Sequence, residues 1–287
     1  MARRHRAEIR RPKAGLRTAI APGMNPSRTS VAAPALLLSL LAAGPGCLQP
    51  ASEPEPGAST LRVVKTLTAE HPIAGVDSDG QGGLWLASQI DRGYPAANEV
   101  SVVHLSSSGE RLSQWRYEDE STTARGLAVG AGAVWLNYND LGGHNHVRKL
   151  DPETGRVLAS FATEDGVVDL EVDGEVLMQS SVWNQVIASR AADGVEQWRT
   201  SFAGIESWQQ RGLAAAGDGR LWLADAGGNR ILYFAPGTAQ ASSYPLARPG
   251  VVADSRGLAW DGAQLVMATQ SQLLWLAPGG AATGWER

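Results

Sequence analysis

The sequence predicts an all-β chain folded as a β-propeller of five four-stranded blades, and three observations carry that prediction. One motif recurs five times at a period of about 45 residues. Each unit divides into four short strands separated by turns rich in Gly, Asp and Pro. No helical periodicity longer than a turn or two interrupts residues 61–287.

The repeat reads GVDSDGQGGLWLAS, GLAVGAGAVWLNY, DLEVDGEVLMQSS, GLAAAGDGRLWLAD and GLAWDGAQLVMAT. Trp85, Trp135, Leu177, Trp222 and Val266 share one position, with spacings of 50, 42, 45 and 44 residues. In each unit a short apolar strand passes through an Asp/Gly turn into a second strand of LWLA type. After a polar loop, a third strand opens on Asn98, Asn145, Asn184, Asn229 or Ser271. A Gly-containing turn then leads to a fourth strand such as RLSQWRY, RVLASF, VEQWRT or ATGWER. A sixth blade would need a further strand triple. LRVVKTLTAE, residues 61–70, precedes the first unit and reads as an outermost strand that completes the last blade, with Ala281–Arg287 displaced or added at the rim.

The segment GLAAAGDGRLWLADAGGNRILYFAPG, residues 212–237, resembles an NHL repeat, and the propeller region as a whole resembles the NHL and gluconolactonase-like propellers. That resemblance implies blades set radially around a channel, with ligands taken at the face where the first strands begin. Ten Trp against three Phe fit the same architecture. Trp85, Trp135 and Trp222 repeat on second strands and Trp115, Trp198 and Trp285 on fourth strands, as blade-to-blade packing requires. Trp183 and Trp208 fall in loops and are the exceptions.

Charge divides the chain. Residues 1–47 hold eight basic side chains and one acid, a formal +7, whereas the other 240 residues hold 17 basic and 28 acidic, a formal −11. The acidic part excludes general nucleic-acid binding. One cysteine, Cys47, excludes disulfide frameworks and Cys-rich metal sites. The apolar run Val31–Ala43 is too short to span a bilayer and suits the hydrophobic region of a secretory signal, read from Met1 or from a second start at Met24. Small residues followed by Cys47 resemble the lipobox of bacterial lipoproteins, although Pro45 and Gly44 depart from its usual pattern. That resemblance implies cleavage before Cys47, lipidation of its sulfur and a membrane partner, and Leu48 points to the outer membrane where one exists. The alternative is an ordinary cleaved signal with an incidental Cys. The chain thus divides into a leader at 1–46, a flexible tether at 47–60 (CLQPASEPEPGAST) and a propeller at 61–287.

Aligning the repeats places Ala74, Arg125, Val168, Arg211 and Arg256 at one position, just before the first strand. Each Arg stands in Arg-Gly-Leu-Ala, and radial symmetry would bring the three to one mouth as forked, permanently charged donors for carboxylate or phosphate. The alternative is local pairing, with Asp254 beside Arg256, and with Glu164 and Asp165 near the third blade. The second-strand ends add Gln89, Asn137, Gln179, Asp225 and Thr269 as expected neighbours at the mouth.

His144-x-His146 has the spacing of two metal ligands on one strand face, but no third ligand can be nominated and His146 aligns with Glu99, Gln185 and Arg230. No metal or other cofactor is expected. Asp225 and Asn229 match residues that order the loop between strands two and three in NHL-like repeats. No nucleophile elbow, phosphate-cradling loop or His-Glu-x-x-His motif occurs.

The sequence therefore favours an exported, lipid-anchored, monomeric binding module for an anionic small molecule, glycan or protein. Two enzymatic alternatives stand beside it. One is a metal-dependent hydrolase of the gluconolactonase type, whose expected ligand positions here hold Arg. The other is a glutaminyl cyclase-like transferase, suggested by blade count and the Ile-Glu-Ser-Trp loop at 205–208.

Overall fold

The computed structural model describes residues 60–90, 98–118, 123–140, 142–202, 205–206, 208–236, 238 and 240–278. Cys47, the leader, nearly all of the tether, Ser207, Trp285 and the segment Ala281–Arg287 lie outside them. Among the described residues, twenty strands form five four-stranded antiparallel sheets.

After β1 (Leu61–Thr68), the first blade is β2 (Ile73–Ser78), β3 (Leu84–Ile90), β4 (Glu99–Leu105) and β5 (Arg111–Glu118). The second is β6 (Thr123–Gly130), β7 (Ala133–Asn139), β8 (Asn145–Leu150) and β9 (Val157–Ala162). The third is β10 (Val167–Asp173), β11 (Val176–Ser181), β12 (Gln185–Arg190) and β13 (Glu196–Ser201). The fourth is β14 (Gln210–Ala215), β15 (Leu221–Asp225), β16 (Arg230–Phe234) and β17 (Ala241–Pro245). The fifth is β18 (Ser255–Trp260), β19 (Leu265–Thr269) and β20 (Gln272–Pro278), with β1 as its outermost strand.

The position in a blade explains the burial of each strand. β2 and β15 are buried along their whole length because blades cover both faces, and apart from Asp77 and Asp225 they are built from apolar and small residues. β9, at the rim, is almost wholly exposed. The tightest turns use left-handed backbone: Ala131 and Gly132 join β6 to β7 with φ of 50° and 68°, the hand that matches strand twist in a two-residue hairpin.

The core is divided among five hydrophobic clusters, one at each junction between neighbouring blades. Trp85 belongs to the junction of blades one and two, Trp135 to that of two and three, and Trp222 to that of four and five. These rings therefore pack the fold, each burying on the order of 150 to 250 Å². Trp135 is fully buried and donates its indole N–H to the Gly130 carbonyl at 3.0 Å.

The ring closes as the sequence suggests. β1 runs antiparallel to β20 from Leu61 opposite Pro278 to Thr68 opposite Gln272, so the start of the propeller completes its last blade. Inner strands pack on one another around the axis, β18 against β2 included. Their backbones approach so closely at Gly75 that a β-carbon there would lie 2.5 Å from the Leu127 nitrogen. Only glycine fits.

Candidate binding site at the channel mouth

The same irregularity occurs at the start of every inner strand. Pairing between the first and second strands slips at Ala74 in blade one, Arg125 in blade two, Val168 in blade three, Arg211 in blade four and Arg256 in blade five. Each is the extra residue of a β-bulge, which leaves the ladder and re-aims its side chain. The sequence reading put these five before the first strand; they lie within it. All five line one open cavity of about 620 Å³ at the channel mouth.

Two further layers follow along the axis. The residue after each bulge is Gly75, Gly126, Asp169, Gly212 or Gly257; Gly126 and Gly257 lie against the Asp169 carboxyl group, whereas Gly75 and Gly212 lie against the next inner strand. Asp169 Oδ2 accepts hydrogen bonds from the backbone N–H of Leu213 at 2.9 Å and of Leu258 at 3.3 Å. Two residues further on stand Asp77, Ala128, Glu171, Ala214 and Ala259. Asp77 accepts from Val129 N–H at 2.6 Å and Glu171 from Ala215 N–H at 2.7 Å, each reaching the next blade. Burial raises the pKa of all three acids, to about 8 for Asp77, and repulsion between neighbouring carboxylates adds to it. These carboxyl groups staple inner strands together beneath the mouth.

Electrostatics at the mouth have the opposite sign. Arg125 and Arg211 are half-buried and Arg256 is exposed. Burial, and then the charge of Arg256, lowers the pKa of both Arg125 and Arg211. Arg125 Nε is buried and without a hydrogen-bond partner. Arg211 donates to the carbonyls of Trp208 at 2.5 Å and Gln210 at 2.8 Å. Among the described residues no carboxylate pairs with any of the three: Glu164 pairs with Arg199 at 2.9 Å, Asp165 faces His144 at 3.9 Å, and Asp254, in a 3-10 turn at Val252–Asp254, makes no ion pair with Arg256.

Of the second-strand residues, Gln89 reaches this cavity, where its side-chain oxygen accepts the Ala124 N–H at 3.0 Å. The other four do not line it. Asn137 is fully buried opposite Gly126, with both amide atoms lacking a partner. Gln179 lines a separate cleft of about 170 Å³ alongside Phe161 and Ile187. Asp225 accepts from Arg230 Nε at 2.6 Å and from Gly228 N–H at 3.3 Å, which orders the loop between β15 and β16. Thr269 Oγ1 closes the turn before β20 through the backbone of Gln272. Asn137 and Gln179 pair with residues after the bulge and Asp225 and Thr269 with residues before it, so the four stand at different levels of their blades and do not converge on the mouth.

The two histidines of His-x-His do not share a ligand position. His146 stacks on Tyr138 with ring centroids 5.3 Å apart and its Nε2 lies 3.0 Å from Asp140 Oδ2, while His144 is exposed. Among the described residues, no group of three or more His, Cys, Asp or Glu is placed to hold a metal ion.

No protein-family profile matches the chain, and no curated protein matches it in sequence. Solved structures do match. Glutaminyl cyclase from Myxococcus xanthus superposes with a TM-score of 0.58 at 12% identity, covering 76% of this chain and 96% of that one. Streptogramin B lyase superposes with a TM-score of 0.44 at 13% identity, covering 76% of this chain and 97% of that one. What this chain shares with the glutaminyl cyclase is the five-bladed fold.

Proposed function

We propose that this protein is a non-catalytic binding module whose propeller takes an anionic ligand at the channel mouth. One observation carries the reading: in three of five blades the bulge residue is an Arg, and the three meet in one cavity with no carboxylate partner among the described residues. Three guanidinium groups held close repel one another, and an anion with carboxylate or phosphate oxygens relieves that repulsion while filling their forked donors. The same charges disfavour a divalent cation at this place, which argues against gluconolactonase-type chemistry. The chain acts as a monomer, exported and tethered to the cell envelope through a lipid on Cys47.

Thermal unfolding with citrate or inorganic phosphate tests the binding reading. A bound anion at one hundred times its Kd stabilises by about 2.7 kcal/mol. The protein should therefore melt at a higher temperature with the anion, and the variant R125Q/R211Q/R256Q should show no such shift. An unshifted melting temperature for the unaltered protein ends the proposal. Metabolic labelling with a radioactive fatty acid tests the anchor: label should enter the full chain and be absent from Cys47→Ser.

A second reading has one observation in its favour. Asp169 is a buried carboxyl group with a raised pKa, next to the cavity-lining Val168, and could serve as an acid beneath the mouth. Release of ammonia from a peptide with N-terminal Gln would establish a glutaminyl cyclase-like transferase in place of the binding module.

A further inference from the structure

The cavity has an apolar side, and it adjoins two exposed indoles. Val168, Val182 and Trp208 line it from blade three and the connection into blade four, whereas the guanidinium groups come from blades two, four and five. Trp208 is 56% exposed and Trp183 is 48% exposed, with ring centroids 5.3 Å apart and planes at 69°. Among the described residues the repeated Trp85, Trp115, Trp135, Trp198 and Trp222 pack blade junctions; Trp208 lines the Arg cavity and Trp183 lies against Trp208, both open to solvent.

The chain holds Trp208 there by force of local geometry. Its φ is 71°, a left-handed conformation that a bulky side chain rarely adopts. Its backbone N–H donates to the Val182 carbonyl at 2.6 Å and its carbonyl accepts from Arg211 at 2.5 Å. Asn184, also left-handed at 62°, donates its side-chain N–H to the Ile205 carbonyl and fixes the same loop. One guanidinium and one indole are thereby joined in a single unit. Backbone in a sparsely populated region, retained to display an exposed ring beside an anion cavity, is the pattern expected of a ligand clamp.

We infer that the ligand is an aryl carboxylate or aryl phosphate, whose anionic group lies among Arg125, Arg211 and Arg256 and whose flat apolar ring lies against Trp208, with Trp183 behind it. This rests on the anion-binding reading above and narrows it. An acidic sugar fits less well. Its hydroxyl groups would lose water on the Val168, Val182 and Trp208 side, where the lining side chains offer aliphatic carbon and an indole in place of hydroxyl or amide partners.

Calorimetric titration of the full chain with phenyl phosphate, inorganic phosphate and galacturonate tests the inference, alongside indole fluorescence. Phenyl phosphate should bind at least tenfold more tightly than inorganic phosphate or galacturonate and should quench the tryptophan emission. Trp208→Gly, which suits a left-handed backbone, should remove the tenfold preference, bringing phenyl phosphate affinity down to that of inorganic phosphate measured on the same variant. Trp183→Ala, at a site without positive φ, should reduce the preference in the same direction. Equal affinity for phenyl phosphate and inorganic phosphate, or tighter binding of galacturonate, overturns the aryl inference and leaves the anion reading standing. If none of the three anions binds, both fall. A Trp208→Gly chain that melts lower yet keeps the full preference makes Trp208 a packing residue and overturns the assignment.

Discussion

Asp169 accepts a hydrogen bond from the backbone N–H of Leu258 at 3.3 Å, joining blade three to blade five across the channel axis. The same oxygen accepts from Leu213 in blade four at 2.9 Å. Four blades have glycine at this level, and the carboxyl group lies against two of them, Gly126 and Gly257. Removing it leaves two buried N–H donors unpaired, at about 1 to 3 kcal/mol each. Asp169→Gly should therefore lose about 2 to 6 kcal/mol in urea unfolding. Asp169→Asn, which keeps a neutral acceptor of the same shape, should stay within about 1 kcal/mol of the unaltered protein, because burial already favours the neutral acid.

The buried acids set a pH dependence with a definite sign. Asp77 has a pKa raised from 3.8 to about 8, and Asp169 and Glu171 move in the same direction. Between those limits the folded state holds protons that the unfolded state has released, so stability falls as pH rises. For Asp77 the contribution is complete below about pH 4 and lost towards pH 8, with a slope of up to about 1.4 kcal/mol per pH unit, and Asp169 and Glu171 act with the same sign. Carboxylates with lowered pKa, such as Asp79 and Asp218, act below pH 4 and oppose this only there. Unfolding free energy should thus be higher at pH 5 than at pH 8, and Asp77→Asn should flatten the difference. Stability that rises from pH 5 to pH 8 would contradict the buried-acid account.

Ring closure depends on β1. Leu61 is fully buried in the junction of blades four and five, and its carbonyl accepts the Ala247 N–H at 2.9 Å. A chain starting at residue 69 lacks the outermost strand of blade five and exposes the edge of β20. It should lose cooperative thermal unfolding, whereas a chain starting at residue 58 should keep it. Circular dichroism melts of the two separate the outcomes.

Much of this architecture is legible in the sequence because a propeller repeats its packing. The period carried by Trp85, Trp135 and Trp222 counts the blades, and LRVVKT ahead of the first unit marks the strand that closes the ring. Alignment of Arg-Gly-Leu-Ala also finds the residues of the mouth. It does not reveal that they sit on bulges, because register with the second strand is a property of pairing and not of local pattern. For the same reason Asn137, Gln179, Asp225 and Thr269 were expected at the mouth: their opposite residues, Gly126, Leu170, Gln210 and Ser255, fall on different sides of the bulge. The axial acids leave one visible signal in the sequence, Asp169 standing where four repeats have glycine. The anchor at Cys47 lies outside the described residues and remains a proposal from the sequence.

The central claim is that Arg125, Arg211 and Arg256 form one anion site. Crystals soaked in selenate and measured at the selenium edge test it most directly. An anomalous peak is expected in the cavity bounded by the five bulge residues, within hydrogen-bond distance of guanidinium nitrogens from at least two of the three Arg, and lost in R125Q/R211Q/R256Q. A cavity without a peak, with each guanidinium instead paired to a carboxylate of the chain, would contradict it.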